Sequence, residues 1–165
     1  MKPDDVILIL RYLGKLPDKI RRMQAEIDGL DILYNPMRGA PLNFSPKGGA
    51  PGNSTAATAE KVIELDVAAR MAECTVWIEV WRADERAIKA QLDRMDNRYK
   101  AILAGRYIYG PNGRRKKWAQ LSGEVHWSEG TLKRKLPYAL VRLGEMLDGV
   151  PMIEEILARA KDARD

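Results

Sequence analysis

Apolar residues recur at helical intervals along most of the chain, and no stretch of useful length alternates with the period of two that a strand requires. From Asp4 to Leu33 they fall at Ile7, Leu10, Leu13, Ile20, Met23, Ile27, Leu30 and Leu33. Gly14 and Pro17 interrupt this series. The spacing therefore predicts a short opening turn and a half, then a cleaner helix with Pro17 and Asp18 in its first turn, where proline loses no hydrogen bond. The stripe from Ile20 to Leu33 is narrow, the kind of seam used by a coiled coil or a helical hairpin.

Ser54 or Thr55 is placed to cap the longest stretch without glycine or proline, which runs unbroken to Gly105. Val62, Leu65, Ala69, Ala72, Val76 and Val80 make one stripe there, continued after a small drift by Trp81, Ile88, Leu92 and Met95. A single helix over 55–95 would be about 60 Å long at ~1.5 Å per residue. A small domain alone cannot bury that length, so packing against the N-terminal helix or against a second copy is expected. Trp77 and Trp81, one turn apart, suit core or interface anchors.

The next segment has Asp96 as a candidate cap and Tyr99, Ile102, Leu103 and Tyr107 at helical spacing, with a stop at Gly110-Pro111-Asn112-Gly113. Two short amphipathic helices should follow. In the first, Trp118, Leu121 and Val125 share a face. His126 and Trp127 make the turn, and Ser128 caps the second helix with Glu129 in its first turn. Leu132, Leu136, Leu140 and Leu143 point to the core, which leaves Glu129, Gly130, Lys133 and Arg134 outward. Gly130 lowers helix propensity by about 1 kcal/mol relative to alanine, and Pro137 is expected to kink or break the helix. A final short helix over 152–161 carries Ile153, Ile156 and Leu157 on one side, and the ending is expected to fray.

Between the first two long segments, residues 35–53 hold four prolines and four glycines, the composition of a flexible connection. Lys47-Gly48-Gly49 is a poor phosphate loop, because no strand precedes it and no Gly-Lys-Ser/Thr follows. The expected fold is all-α. A long helical hairpin or coiled-coil N-terminal region (1–95) precedes a C-terminal helix-turn-helix domain (96–148) and a helical tail (149–165).

Charge sharpens this division. The chain has 165 residues and a net charge of +5. From Asn97 to Glu145 eleven Lys/Arg face only three acids, a net +8, which leaves −3 for the remainder. Such asymmetry points to one polyanion-binding half and one solvating half. The run Arg114-Arg115-Lys116-Lys117 precedes a helix N-terminus, where cations oppose the macrodipole. A partner anion is the better reason for it, and each phosphate neutralised adds a salt-dependent term to affinity.

Other classes fare worse. One cysteine (Cys74) rules out an internal disulfide and suits a reducing cytoplasm. With a single His126 beside it, no structural zinc cluster and no Ser/His/Asp or Cys/His set can be assembled, so no enzyme, metal or cofactor is expected. Glu154-Glu155 and Asp4-Asp5 are adjacent and diverge on a helix. No run approaches the ~18 apolar residues of a membrane span, and Asp4 and Asp5 with the broken run Val6–Leu10 argue against a signal peptide.

At these residues the chain resembles a known family. Arg106-Tyr107, Trp118-x-x-Leu121-Ser122-x-x-Val125-x-x-Ser128-x-x-Thr131-Leu132-x-Arg134 and Ala139-Leu140 resemble the RinA/ArpU-type phage late-transcription regulators, whose C-terminal part is similar to region four of sigma-70 factors. Met95-Asp96-x-Arg98-Tyr99 at the end of the long helix also fits. The resemblance implies a sequence-specific DNA-binding activator of phage or prophage late genes, acting in the bacterial cytoplasm and touching RNA polymerase. The expected base-reading residues are Ser128, Glu129, Thr131, Lys133 and Arg134. The expected phosphate contacts are Arg106, Arg114, Arg115, Lys116, Lys117, Gln120 and Lys135. The expected partners are double-stranded DNA and a second copy, a homodimer through the N-terminal helices. Two rival readings are a small terminase-like packaging protein and a polymerase-binding module without DNA readout.

Overall fold

A computed structural model describes residues 1–34, 54–108 and 115–163, with side chains for 1–32, 66–108 and 115–163. All the regular structure among the described residues is helical. The helices are α1 (Pro3–Tyr34), α2 (Ser54–Asp93), α3 (Asn97–Tyr107), α4 (Trp118–Val125), α5 (Glu129–Leu147) and α6 (Ile153–Asp162). The connection expected over 35–53, the stop at 110–113 and Arg114 lie outside the described residues, as do the side chains of Ser54, Thr55, Val62 and Leu65.

Both prolines sit inside helices that continue through them, against expectation. α1 does not restart at Pro17, and α5 does not break at Pro137. Each proline is exposed. The carbonyl four residues back loses its amide partner in each case. Leu13 and Leu16 bury the α1 turn that leads into Pro17, and Leu132 and Leu140 bury α5 on both sides of Pro137. Packing outweighs a local penalty of about 3 kcal/mol.

The chain forms two compact units. One joins Met1–Lys19 to Trp81–Asp165, and the other is Ile20–Val80. The first unit is not divided where composition changes near residue 95, nor is its C-terminal end a tail. One core gathers Val6, Ile9, Leu10, Leu13 and Leu16 of α1, Ile88 and Leu92 of α2, Leu103 of α3, and Ala139, Leu140, Leu143 and Leu147 of α5. Ile153, Ile156 and Ala160 of α6 belong to the same cluster.

A polar staple accompanies that core. Asp84 of α2 is fully buried. It accepts a 2.8 Å hydrogen bond from the Tyr12 hydroxyl and a bidentate pair from Arg159 of α6 at 2.8 and 2.7 Å. α6 thus supplies both an apolar anchor and the counter-charge of Asp84, the only buried charged side chain among the described residues.

In the second unit the two long helices meet through Arg70, which donates to Glu26 at 2.8 Å and to Glu73 at 2.7 Å. Its buried α2 seam differs from the one expected. Cys74 and Ile78 are buried, with Val67 and Met71 half-buried in line with them. Ala69 and Ala72 are exposed, and Val76 is 61% exposed. The continuation at Ile88, Leu92 and Met95 is buried as predicted.

Candidate nucleic-acid interface

The positive half of the chain converges on α3, α4 and α5, which pack around a small core of their own. Ile102, Leu121, Val125 and Leu132 are buried there, with Ala101, Trp118, Trp127 and Leu136 packed at its edge. Asp96 caps α3 as expected, its carboxylate accepting from the Arg98 amide at 2.9 Å.

The turn between α4 and α5 is tight. His126 adopts the left-handed conformation at φ 58° and ψ 37°, and its amide donates to the Ser122 carbonyl at 3.0 Å. The Ser122 hydroxyl donates to the Trp127 carbonyl at 2.7 Å, tying the turn back to α4. Ser128 caps α5: its Oγ accepts from the Thr131 amide at 3.3 Å and lies 2.9 Å from the Thr131 hydroxyl. Both hydroxyls expected to read bases therefore also serve the helix start.

Leu132, Ala139, Leu140 and Leu143 bury one side of α5, and Glu129, Gly130, Lys133 and Arg134 are exposed on its first turns. Lys133 lies 3.8 Å from Glu129, one turn back. At this exposure such a pair contributes little to stability. Lys135 is half-buried, with its ammonium 6.0 Å from the Tyr138 ring centre.

The cationic strap ahead of α4 is braced against α3. The Lys116 amide donates to the Gly105 carbonyl at 2.9 Å, and the Arg106 guanidinium donates to the Lys116 carbonyl at 3.1 Å. Gly105 is required at this approach: a Cβ there would meet Leu121 Cδ2 at 2.6 Å and Lys116 Cδ at 3.1 Å. The Lys116 ammonium lies 2.7 Å from both Glu124 carboxylate oxygens, which makes it a strut across the strap. Gln120 turns its Oε1 to the Lys117 amide at 2.9 Å, so that oxygen serves the helix start. Arg115 and Lys117 are exposed.

Aromatic rings space the cations, and sequence reasoning missed this. Arg106 stacks on Trp118 at 4.3 Å, and Lys133 lies 6.0 Å from the same ring, so one indole links cations from α3 and α5. Arg98 stacks on Trp127 at 5.2 Å, and Tyr99 meets both Trp127 and Tyr138 at 5.7 and 5.5 Å. Cation–π contact holds a guanidinium in place while leaving its N–H edges for another acceptor. No local signal announced it, because Arg106 and Arg98 lie 12 and 29 residues from the rings they stack on. Periodicity alone assigns such rings to the core.

Among the described residues no group of three or more His, Cys, Asp or Glu is placed to hold a metal ion, and no helix is long and apolar enough to cross a membrane. Against protein-family models, curated proteins and solved structures alike, the chain finds no match.

Proposed function

We propose that α4, the His126–Ser128 turn and α5 act as a helix-turn-helix that grips duplex DNA, and that the protein is a sequence-specific transcriptional regulator of the phage late-gene type. The observation that carries this reading is the exposed set Glu129, Gly130, Lys133 and Arg134 at the start of α5, flanked by a cationic strap tied to α3. A reading helix needs its first turns free for the major groove while its opposite face holds the fold. A strap tied to α3 by backbone bonds, beside Arg98 and Arg106 held against tryptophan rings, loses little freedom on meeting a phosphate, so its attraction is not spent on ordering.

The charge inventory refines the expected strength. Lys100, Lys116, Lys133 and Arg142 each hold a carboxylate within the chain. Fewer than the eleven cations of this segment therefore displace counterions. With about five phosphates neutralised, log K should fall with log salt at a slope of roughly −4 to −5. The step from DNA binding to late-gene control rests on the family resemblance.

Anisotropy titration of a labelled duplex across a salt series tests the reading. Binding that weakens steeply with salt is expected, together with enrichment of discrete sites when genomic fragments are selected. Absence of binding to any duplex at low salt would sink it.

A further inference from the structure

Among the described residues of the unit Ile20–Val80, more large apolar side chains are exposed than buried. Cys74 and Ile78 are its only fully buried side chains among the described residues, yet Ile32, Val76 and Trp77 are three of the six large hydrophobics left exposed. α2 has two apolar seams here. The first, Val67, Met71, Cys74 and Ile78, is buried or half-buried. The second, Ala69, Ala72, Val76 and Val80, repeats at i, i+3, i+7 and i+11. At about 100° per residue it lies on the opposite side of the helix. A helix apolar on two opposite sides is built to sit between two neighbours.

We propose that this second seam is the interface with a second copy of the chain, two α2 helices packing antiparallel across a two-fold axis near Ala72. The proposal goes beyond the DNA reading and does not depend on it. Size complementarity supports the register: an axis at Ala72 sets Val76 opposite Ala68 and Ala69 of the second copy, a large residue facing small ones. Ala72 then meets its own counterpart, where little bulk permits close approach. Charge complementarity agrees. Arg70 and Glu73 share one flank of the seam, and the same axis brings Arg70 within a helical turn of Glu73 of the second copy. The guanidinium that already holds Glu73 and Glu26 of its own chain at 2.7 and 2.8 Å gains a third carboxylate nearby. Exposed Asp66, Glu73 and Glu79 border the seam and repel a nucleic acid or an anionic lipid surface. A two-fold pairing of identical faces is also the commonest symmetry of soluble oligomers.

Light scattering and sedimentation equilibrium on the full chain test this. The expected mass is twice 18.6 kDa. Val76→Glu and Ala72→Glu should each raise the dimer dissociation constant by about 100-fold or more, because an unpaired carboxylate would be buried, with the far-UV circular dichroism unchanged. Ile32→Glu, also exposed but on the other helix, should leave the dimer intact. Ala72→Cys does not depend on tolerance of a buried charge: mild oxidation should link two copies, since Cβ atoms beside a two-fold axis can reach disulfide distance. The native chain is its control, because Cys74 is buried and burial pushes its thiol pKa up. A purely monomeric wild type, a closed ring of many copies, a dimer that survives both glutamates, or failure of Ala72→Cys to cross-link would each overturn the proposal.

Discussion

Removal of the Asp84 carboxylate tests what holds α1, α2 and α6 together. In Asp84→Ala the Arg159 guanidinium keeps Glu155 at 3.6 Å as its carboxylate partner, and the buried Tyr12 hydroxyl loses its acceptor. Breaking a buried pair from one side costs about 3–5 kcal/mol. The Arg159 side chain is 21% exposed and draws some hydration, which places the loss near the lower figure, about 3 kcal/mol. At a urea dependence of ~2 kcal/mol per molar, the midpoint should fall by about 1.5 M. Far-UV circular dichroism and tryptophan fluorescence should be followed together, since coincident curves are needed to treat the transition as two-state. Tyr12→Phe keeps the bidentate pair and should cost only about 1–2 kcal/mol. The triple replacement Tyr12→Phe, Asp84→Leu, Arg159→Met removes every charge and should lie within about 1–2 kcal/mol of wild type. A midpoint shift below about 0.3 M for Asp84→Ala would refute the staple, and a triple variant as weak as the single would refute the account of why it matters.

The same staple sets an alkaline limit. Burial, then the hydrogen bond to Asp84 and its charge, raise the Tyr12 phenol above its ordinary pKa of 10.0. The stability it contributes is complete below that value and is lost as pH climbs from there toward the folded-state pKa, with a limiting slope of about 1.4 kcal/mol per pH unit. Chemical denaturation between neutral and strongly alkaline pH should show this limb, and Tyr12→Phe should flatten it. Pro137→Ala restores an amide donor to the Lys133 carbonyl in an existing helix, so thermal denaturation should show a gain of about 1–3 kcal/mol; a loss would mean that the α5 path depends on the proline. Replacing Arg114 to Lys117 with alanine should weaken binding to every duplex and flatten the salt slope. Arg134→Ala should cost about 1–3 kcal/mol on the selected site and less on random DNA. Equal losses on both duplexes for both variants would show that reading and positioning are not divided as proposed.

Helical periodicity carried the all-α class because a 3.6-residue repeat is a local property, and the Asp96 and Ser128 caps were legible for the same reason. The proline expectations failed where a local penalty met nonlocal packing: Leu13 and Leu16, or Leu132 and Leu140, hold a helix that the isolated sequence would interrupt. Asp84 was illegible because its partners, Tyr12 and Arg159, lie 72 and 75 residues away. A mid-helix aspartate reads as solvent-facing until both partners are known. At the candidate interface, the outward set Glu129, Gly130, Lys133 and Arg134 followed from helical geometry. The stacking of Arg106 and Lys133 on Trp118 did not, since α3, α4 and α5 must first be brought together.

The α2 seam shows most sharply where such reasoning stops. Counting apolar residues selected Ala69, Ala72 and Val76, while the side chains the chain itself buries there are Cys74 and Ile78. Both series have the spacing of a packed face, as the proposed pairing of α2 with a second copy requires. Spacing cannot rank them, since it contains nothing about which neighbour belongs to the same chain. What separates them is bulk: Val67, Met71, Cys74 and Ile78 are larger and are buried or half-buried, and α2 is joined to α1 nearby by Arg70 reaching Glu26. The alanine-rich face suits a neighbour that must come close, and a symmetric copy presenting the same alanines can do so without cavities.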